Sequence, residues 1–424
     1  MILSADWVLP VEGEPIRDGA VVIEDGRIAA VGPAAELGAG ERFEHSVIVP
    51  GFVNAHSHLE YAVYAGFGDG LAFAPWLALH IERKARIGWD EMVAIARAGA
   101  AECLRSGITT TADYSFSGAA AAACAELGLR AIVYLEVFGS EPTAVLEQFE
   151  RLRARAERSL SEHVRLGISP HAPYTVSADA WAACAALGLP IGTHLAESAA
   201  EREWLVDGSG PMSAVRRLVV EPTGETGTRT LARRGLLGPE TIAAHCVDVD
   251  EEEIALLARH RVGIAHCPRS NGMLGCGIAP LAALRAATGR VGLGTDSPAS
   301  TPSFDMFEEL RTAIVAARAR EARPDALSAS AALELATLGA ARALGLDDEI
   351  GSIVPGKRAD LTVVSLVGSP LLPWEDPAGA FVLGGTRSGV LLTLVEGQPR
   401  YRKGGTEWHE LIAAASRARS LLLQ

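Results

Sequence analysis

The stretch VPGFVNAHSH, residues 49–58, carries the reading of the fold. It opens on apolar residues, as a strand buried on both faces does, and closes on polar ones, His56 and His58. The same design recurs seven times further along: GITTTADYS (107–115), LRAIVYLEVFG (129–139), VRLGISPHAP (164–173), LPIGTHLAE (189–197), TIAAHCVDV (241–249), RVGIAHCPRSN (261–271) and RVGLGTDSPAS (290–300). Ala-rich stretches with helical patterning, such as DEMVAIARAGAAECLRSG and ADAWAACAALG, lie between the runs. Eight strands alternating with helices predict an α/β fold, a closed (β/α)8 TIM-type barrel, over 51–348; a doubly wound open sheet is the weaker alternative.

Outside that alternation the pattern changes. Residues 1–50 read as short strands, with Asp25-Gly26 placed to turn a hairpin, and 349–405 read the same way, with Glu396-Gly397 at a second turn. Two β segments at opposite ends of a chain can pair, so 1–50 plus 349–405 are expected to form one small β-sandwich domain. The last stretch, 406–424, reads as an amphipathic helix packed on the outside, open to a role in a homodimer.

Bulk properties exclude several function classes. With 38 Lys+Arg against 52 Asp+Glu the formal net charge is −14, which repels phosphate backbones and anionic membranes, so neither nucleic acid nor a membrane is an expected partner. The six cysteines include no C-x-x-C pair and read as reduced thiols. No apolar run approaches the roughly 20 residues of a membrane span, and MILSADWVLPVEGEP lacks the pattern of a signal segment; the expected location is cytoplasmic.

The histidines carry the chemistry. Five of eleven, His56, His58, His171, His194 and His245, fall at or just past the ends of expected strands, where barrel enzymes build their sites. His-x-His on a strand puts both imidazoles on one face. A third nitrogen from His194 and a carboxylate from Asp296 would complete an N3O set for Zn2+ or another first-row divalent ion, which brings the pKa of a water toward neutrality. A lone strand-end histidine is more often a hydrogen-bonding structural residue; agreement among four distant segments lifts the set.

PGFVNAHSHLE, THLAE, AAHCVDV, AHCPRSN and GTDSPAS, in that order, resemble the signature segments of the amidohydrolase superfamily, in the branch of the cytosine-, guanine- and adenosine-type deaminases and chlorotriazine hydrolases. The resemblance spans essentially the whole chain, with PGKRADLTVV near 355 as the return into the terminal sheet. It implies that His56, His58, His194 and Asp296 hold one metal ion, Zn2+ or Fe2+, that Glu197 is the proton shuttle, that His245 orients the attacking oxygen, and that Asp296 also accepts a proton. Two-metal members bridge their ions with a strand-4 lysine, which VRLGISPHAP lacks; Glu136 is the alternative bridge. A single ion is expected.

Glu60, Trp76 and His171 lie near the same rim and are expected to contact a small-molecule substrate. HSHLE, the F-x-x-W-L pattern at 73–77 and GSGP at 208–211 resemble aminodeoxyfutalosine deaminases of the alternative menaquinone route most. The expectation is hydrolytic deamination of an aminopurine or adenine-nucleoside-like compound, 6-amino-6-deoxyfutalosine first. Deamination of S-adenosylhomocysteine, methylthioadenosine or adenosine, of guanine or cytosine, and s-triazine hydrolysis stand as alternatives. Cyclic-amide hydrolysis would ordinarily use two metals, and a non-catalytic scaffold would ordinarily have lost a ligand.

Overall fold

The computed structural model describes residues 1–369, 375–406 and 408–423. Residues 370–374, within the expected terminal sheet segment, and 407 and 424, within the expected C-terminal helix, lie outside the described residues.

The eight expected runs are eight parallel strands in chain order: Phe52–Ser57, Ile108–Ser115, Arg130–Val137, Val164–Pro170, Ile191–Leu195, Thr241–His245, Gly263–His266 and Val291–Leu293. Nearly every residue in them is buried, which is why they read as apolar runs rather than alternating ones. The sheet closes from last strand to first. The Asp296 N–H donates to the His56 carbonyl at 3.0 Å, and the Asn54 side chain exchanges two hydrogen bonds with Thr295, at 2.8 and 2.9 Å. Gly294 makes that approach possible, because a Cβ there would stand 2.8 Å from the His56 Cβ.

Helices return the chain between strands. DEMVAIARAGAAECLRSG falls on helix Trp89–Arg105, and ADAWAACAALG on Ala178–Ala185, whose start is capped by the Ser177 hydroxyl. None of the described helices is long and apolar enough to cross a membrane.

Both ends of the chain build a separate seven-stranded mixed sheet, ordered Gln398–Arg402, Val390–Val395, Leu361–Ser365, Glu41–Pro50, Ile2–Val8, Ile16–Glu24, Arg27–Pro33. Asp25-Gly26 and Glu396-Gly397 both turn with positive φ at each residue, as two-residue hairpins require. Arg130, at the start of the third barrel strand, ties the two sheets together through Asp360 and Glu396, each at 3.1 Å.

The C-terminal helix, Trp408–Leu422, packs on helix Trp89–Arg105. Arg419 donates to the carbonyls of Val63 and Ala65, and Leu422 is buried beside Tyr64 and Phe67, so this helix holds the loop that follows the first barrel strand.

Candidate active site

Side-chain alternation along Phe52–Ser57 sends His56, and next to it His58, into the C-terminal mouth of the barrel. Each neighbouring imidazole is fixed by a backbone carbonyl. The His58 Nδ1–H donates to Tyr114 at 3.0 Å and the His194 Nδ1–H to His171 at 2.9 Å. With Nδ1 protonated, Nε2 of each carries a lone pair, and these two atoms face one another at 3.2 Å. His56 adds a third: its Nε2 lies 3.4 Å from Asp296 Oδ1, which is 3.6 Å from His58 Nε2, and neither of its nitrogens has a hydrogen-bond partner although both are buried. Burial pushes all three imidazoles down to about 3, so none carries a proton to relieve the repulsion. Converging lone pairs around one carboxylate oxygen fit a divalent cation and little else.

Asp296 is oriented for that arrangement. Its Oδ2 accepts from the Ser270 and Ser300 hydroxyls at 2.5 and 3.1 Å, leaving Oδ1 toward the imidazoles. The residue sits at φ +56°, a left-handed conformation sustained by the strand closure just behind it.

Glu197 reaches the same point from the turn after the fifth strand. Ala196 is left-handed (φ +51°), and the buried Glu201 carboxylate accepts the N–H groups of Ala196 and Glu197 at 3.1 and 2.9 Å. His245, whose Nδ1–H is taken by Asn271 Oδ1 at 2.9 Å, turns Nε2 to within 3.8 Å of Glu197 Oε1. Burial raises the Glu197 carboxyl to about 7, with His245 opposing. For His245 burial pulls the other way, and Glu197 and Asp296 outweigh it, so its pKa rises. A carboxyl poised near neutrality beside an imidazole is equipped to give and take protons at physiological pH.

Above these groups lies a cavity of about 470 Å³, within the range of small-molecule sites. His171 and Trp76 are in its wall. The His171 ring packs on His194, with Nδ1 bonded to Thr175 Oγ1 at 2.8 Å, and the Trp76 indole N–H donates to the Ala299 carbonyl at 3.2 Å. Glu60, expected to contact substrate, is not in the wall and has no exposed surface. Its carboxylate accepts from the Ser115 and Ser117 hydroxyls and from the N–H groups of Phe116, Ser117, Ala119 and Ala120. It caps the N-terminal end of helix Ala119–Leu127, where orphan N–H groups and the helix dipole favour an anion.

Glu136 lines the cavity, but its approach to His58, 4.0 Å, is to Nδ1, the nitrogen already committed to Tyr114. Sequence reasoning marked the segments holding Ser270, Asn271 and Ser300 without giving these residues roles, and passed over Glu201. The pattern HLAESAAE, with a second carboxylate four residues after the first, was the available signal for Glu201.

Comparison with known proteins agrees over the full chain. Residues 47–400 match the amidohydrolase family, and residues 19–39 match an imidazolonepropionase-like composite domain of bacteria. The 5'-deoxyadenosine deaminase of Methanothermobacter thermautotrophicus is 34% identical over 420 residues, covering 96% of this chain and 94% of that protein. The 5-methylthioadenosine/S-adenosylhomocysteine deaminase of Moorella thermoacetica is 34% identical over 94% of this chain and 93% of its own. Among solved structures, an adenosine deaminase from Xanthomonas campestris with bound zinc superposes with a TM-score of 0.85 at 31% identity, covering 100% of this chain and 98% of that one.

Proposed function

The chain belongs to the amidohydrolase family, as a metal-dependent hydrolase of carbon–nitrogen bonds in cyclic amidines, and we propose that it deaminates an adenine-nucleoside-like compound, with 6-amino-6-deoxyfutalosine as the favoured substrate. The observation that carries the chemistry is the facing pair of Nε2 atoms on His58 and His194, 3.2 Å apart beside Asp296, with Glu197 and His245 at their edge. His56, His58, His194 and Asp296 would hold one ion, zinc, which supplies Lewis acidity and brings the pKa of a water toward 7.

The rest of the reaction falls to the chain's own groups. Glu197 takes a proton from the attacking water and hands it to the ring nitrogen next to the amino-bearing carbon. His245, held by Asn271, orients the attacking oxygen and stabilises the charge that develops there. Asp296 accepts the second proton. As the carbon–nitrogen bond breaks, the proton held by Asp296 passes to the amino group, which leaves as ammonia, and the ring carbon keeps the oxygen as a carbonyl. His171 and Trp76 hold the purine and its substituent in the cavity wall.

A second reading, in which methylthioadenosine or S-adenosylhomocysteine is the substrate, is favoured by the names of the relatives at 33–35% identity. Ammonia release by zinc-loaded protein from a panel of adenine nucleosides separates the two. We expect the highest kcat/KM for 6-amino-6-deoxyfutalosine. A higher value for methylthioadenosine moves the assignment to the second reading, and no ammonia from any adenine nucleoside refutes both.

A further inference from the structure

Helix Phe73–Lys84 supplies the cavity wall with Trp76, Leu77, His80 and Lys84. No side chain caps its start, and the loop before it turns at Gly66 and Gly70, where φ is +83° and +77° and a Cβ would meet nothing within 4 Å. Such a backbone is ordered only by contacts made elsewhere. One face of the helix packs with Tyr174, Trp204 and Met212, and the Trp76 indole N–H reaches the carbonyl of Ala299 in the loop after the eighth strand. Further contacts come from the C-terminal helix, Trp408–Leu422.

Arg83, beside Lys84, donates to the Leu422 carbonyl, and Arg419 donates to the carbonyls of Val63 and Ala65, the latter at 3.0 Å. Both guanidinium groups lie over the Phe67 ring, 4.1 and 4.5 Å from its centroid, where the ring quadrupole favours a cation. Leu422 has no exposed surface and joins Tyr64 and Phe67 in one apolar cluster. Next to Phe67, Gly68 (φ +80°) brings its backbone against the indole: a Cβ there would stand 3.0 Å from Trp76 Cδ1. A continuous path of contacts therefore runs from Arg419 through Phe67 and Gly68 to Trp76 and the cavity.

We propose that Arg419 is a positioning residue of the reaction: by fixing Phe67 and the loop around it, Arg419 seats the Trp76 indole in the cavity wall and so sets substrate affinity. Its own side chain is not in that wall. The role rests on the reading above that the cavity binds the substrate, whichever nucleoside that is. Hydrogen bonds from a charged donor to two carbonyls of one loop hold that loop in a single backbone conformation. Without them the loop and helix Phe73–Lys84 open more often, the binding-competent fraction falls, and apparent affinity falls with it. Glu197 and His245 are fixed by other groups, Glu201 and Asn271, so the chemical step is left as it was.

The test follows wild type, Arg419→Ala and Arg419→Lys, all zinc-loaded, by hydrogen–deuterium exchange and by ammonia release from the adenine nucleoside that the wild type uses best. In Arg419→Ala, amide exchange over residues 62–84 is expected to quicken by about tenfold while the barrel strands exchange as before, and KM to rise by about tenfold with kcat within about twofold. Arg419→Lys, which keeps a cation over Phe67 and one of the two carbonyl bonds, is expected to fall between. Arg83→Ala acts on the same ring, so the double variant is expected to show less than the product of the two single effects. Unchanged exchange over 62–84 overturns the positioning role, and so does an unchanged KM beside faster exchange. Exchange that quickens throughout the barrel, or zinc lost from Arg419→Lys, also overturns it, because the residue then serves stability at large. No ammonia from any nucleoside in the wild type refutes the nucleoside reading instead, and the exchange pattern decides the positioning of the wall by itself.

Discussion

Glu201 offers the sharpest test of how the reactive carboxylate is aimed. It touches no substrate and no imidazole; it accepts the N–H groups of Ala196 and Glu197 from below, at 3.1 and 2.9 Å, while Ala196 is held at φ +51°. In Glu201→Ala both N–H groups lose their acceptor in a buried setting, at about 1–3 kcal/mol each. Left-handed alanine adds about 1 kcal/mol of strain that the native contacts no longer oppose. Burial already disfavours the Glu201 carboxylate, raising it to about 7, and its removal returns part of that cost. A net bias of about 2 kcal/mol against the native turn remains, which lowers the population of correctly aimed Glu197 by about 30-fold. Steady-state ammonia release at saturating substrate should therefore show kcat down by about that factor. Zinc content should stay at one per chain, because none of His56, His58, His194 or Asp296 is touched. Glu201→Gln, which keeps one acceptor oxygen, should recover part of the loss. A kcat within about twofold of wild type for Glu201→Ala, with an unchanged pH profile, would refute the reasoning.

Three further outcomes follow from the same geometry. Glu197→Gln is expected to retain zinc and lose about 10²–10⁴ in kcat, whereas His194→Ala loses both zinc and turnover; elemental analysis beside the ammonia assay checks each, and near-normal kcat in Glu197→Gln excludes the shuttle role. Glu60→Ala is expected to lower the unfolding temperature, because six donors around the start of helix Ala119–Leu127 lose their acceptor, yet leave KM within about twofold; a KM rise with unchanged melting would return Glu60 to the substrate. His266 is 1% exposed, and burial first, then His245, pushes its pKa down to about 4. Its folded value lies below the unfolded 6.5, so the unfolded chain binds the extra proton and stability is lost as pH falls below about 6.5, by about 2 kcal/mol between pH 7.5 and 5.0. Denaturant unfolding at the two pH values should show that loss in wild type and a smaller one in His266→Gln; equal losses count against it.

Much of this was legible before any coordinates. Eight apolar runs with polar ends specify eight buried strands because a strand covered on both faces has no polar side to show, and His56 and His58 share a face because side chains alternate. Asp25-Gly26 marks its turn because Asp-Gly is one of the few pairs that accept positive φ twice in succession, and at Glu396-Gly397 the glycine alone carries the signal while Glu396 takes φ +51°. Glu60 was misplaced for a local reason. The strand ends at Ser57, and the 3-10 turn Leu59–Tyr61 swings Glu60 away from the mouth, where the period of two no longer tells which way a side chain points.

The sequence alone thus determined the barrel, the sheet made from both ends, and the residue types of the centre, all of which depend on local periodicity and turn chemistry. Tertiary structure alone decided what surrounds that centre: the two serines that aim Asp296, Glu201 beneath Glu197, and Asn271 behind His245. Hydrogen bonds and charge balance are set by groups that meet across long separations in the chain, such as the 241 residues between Asn54 and Thr295, and no local pattern records which of them will meet.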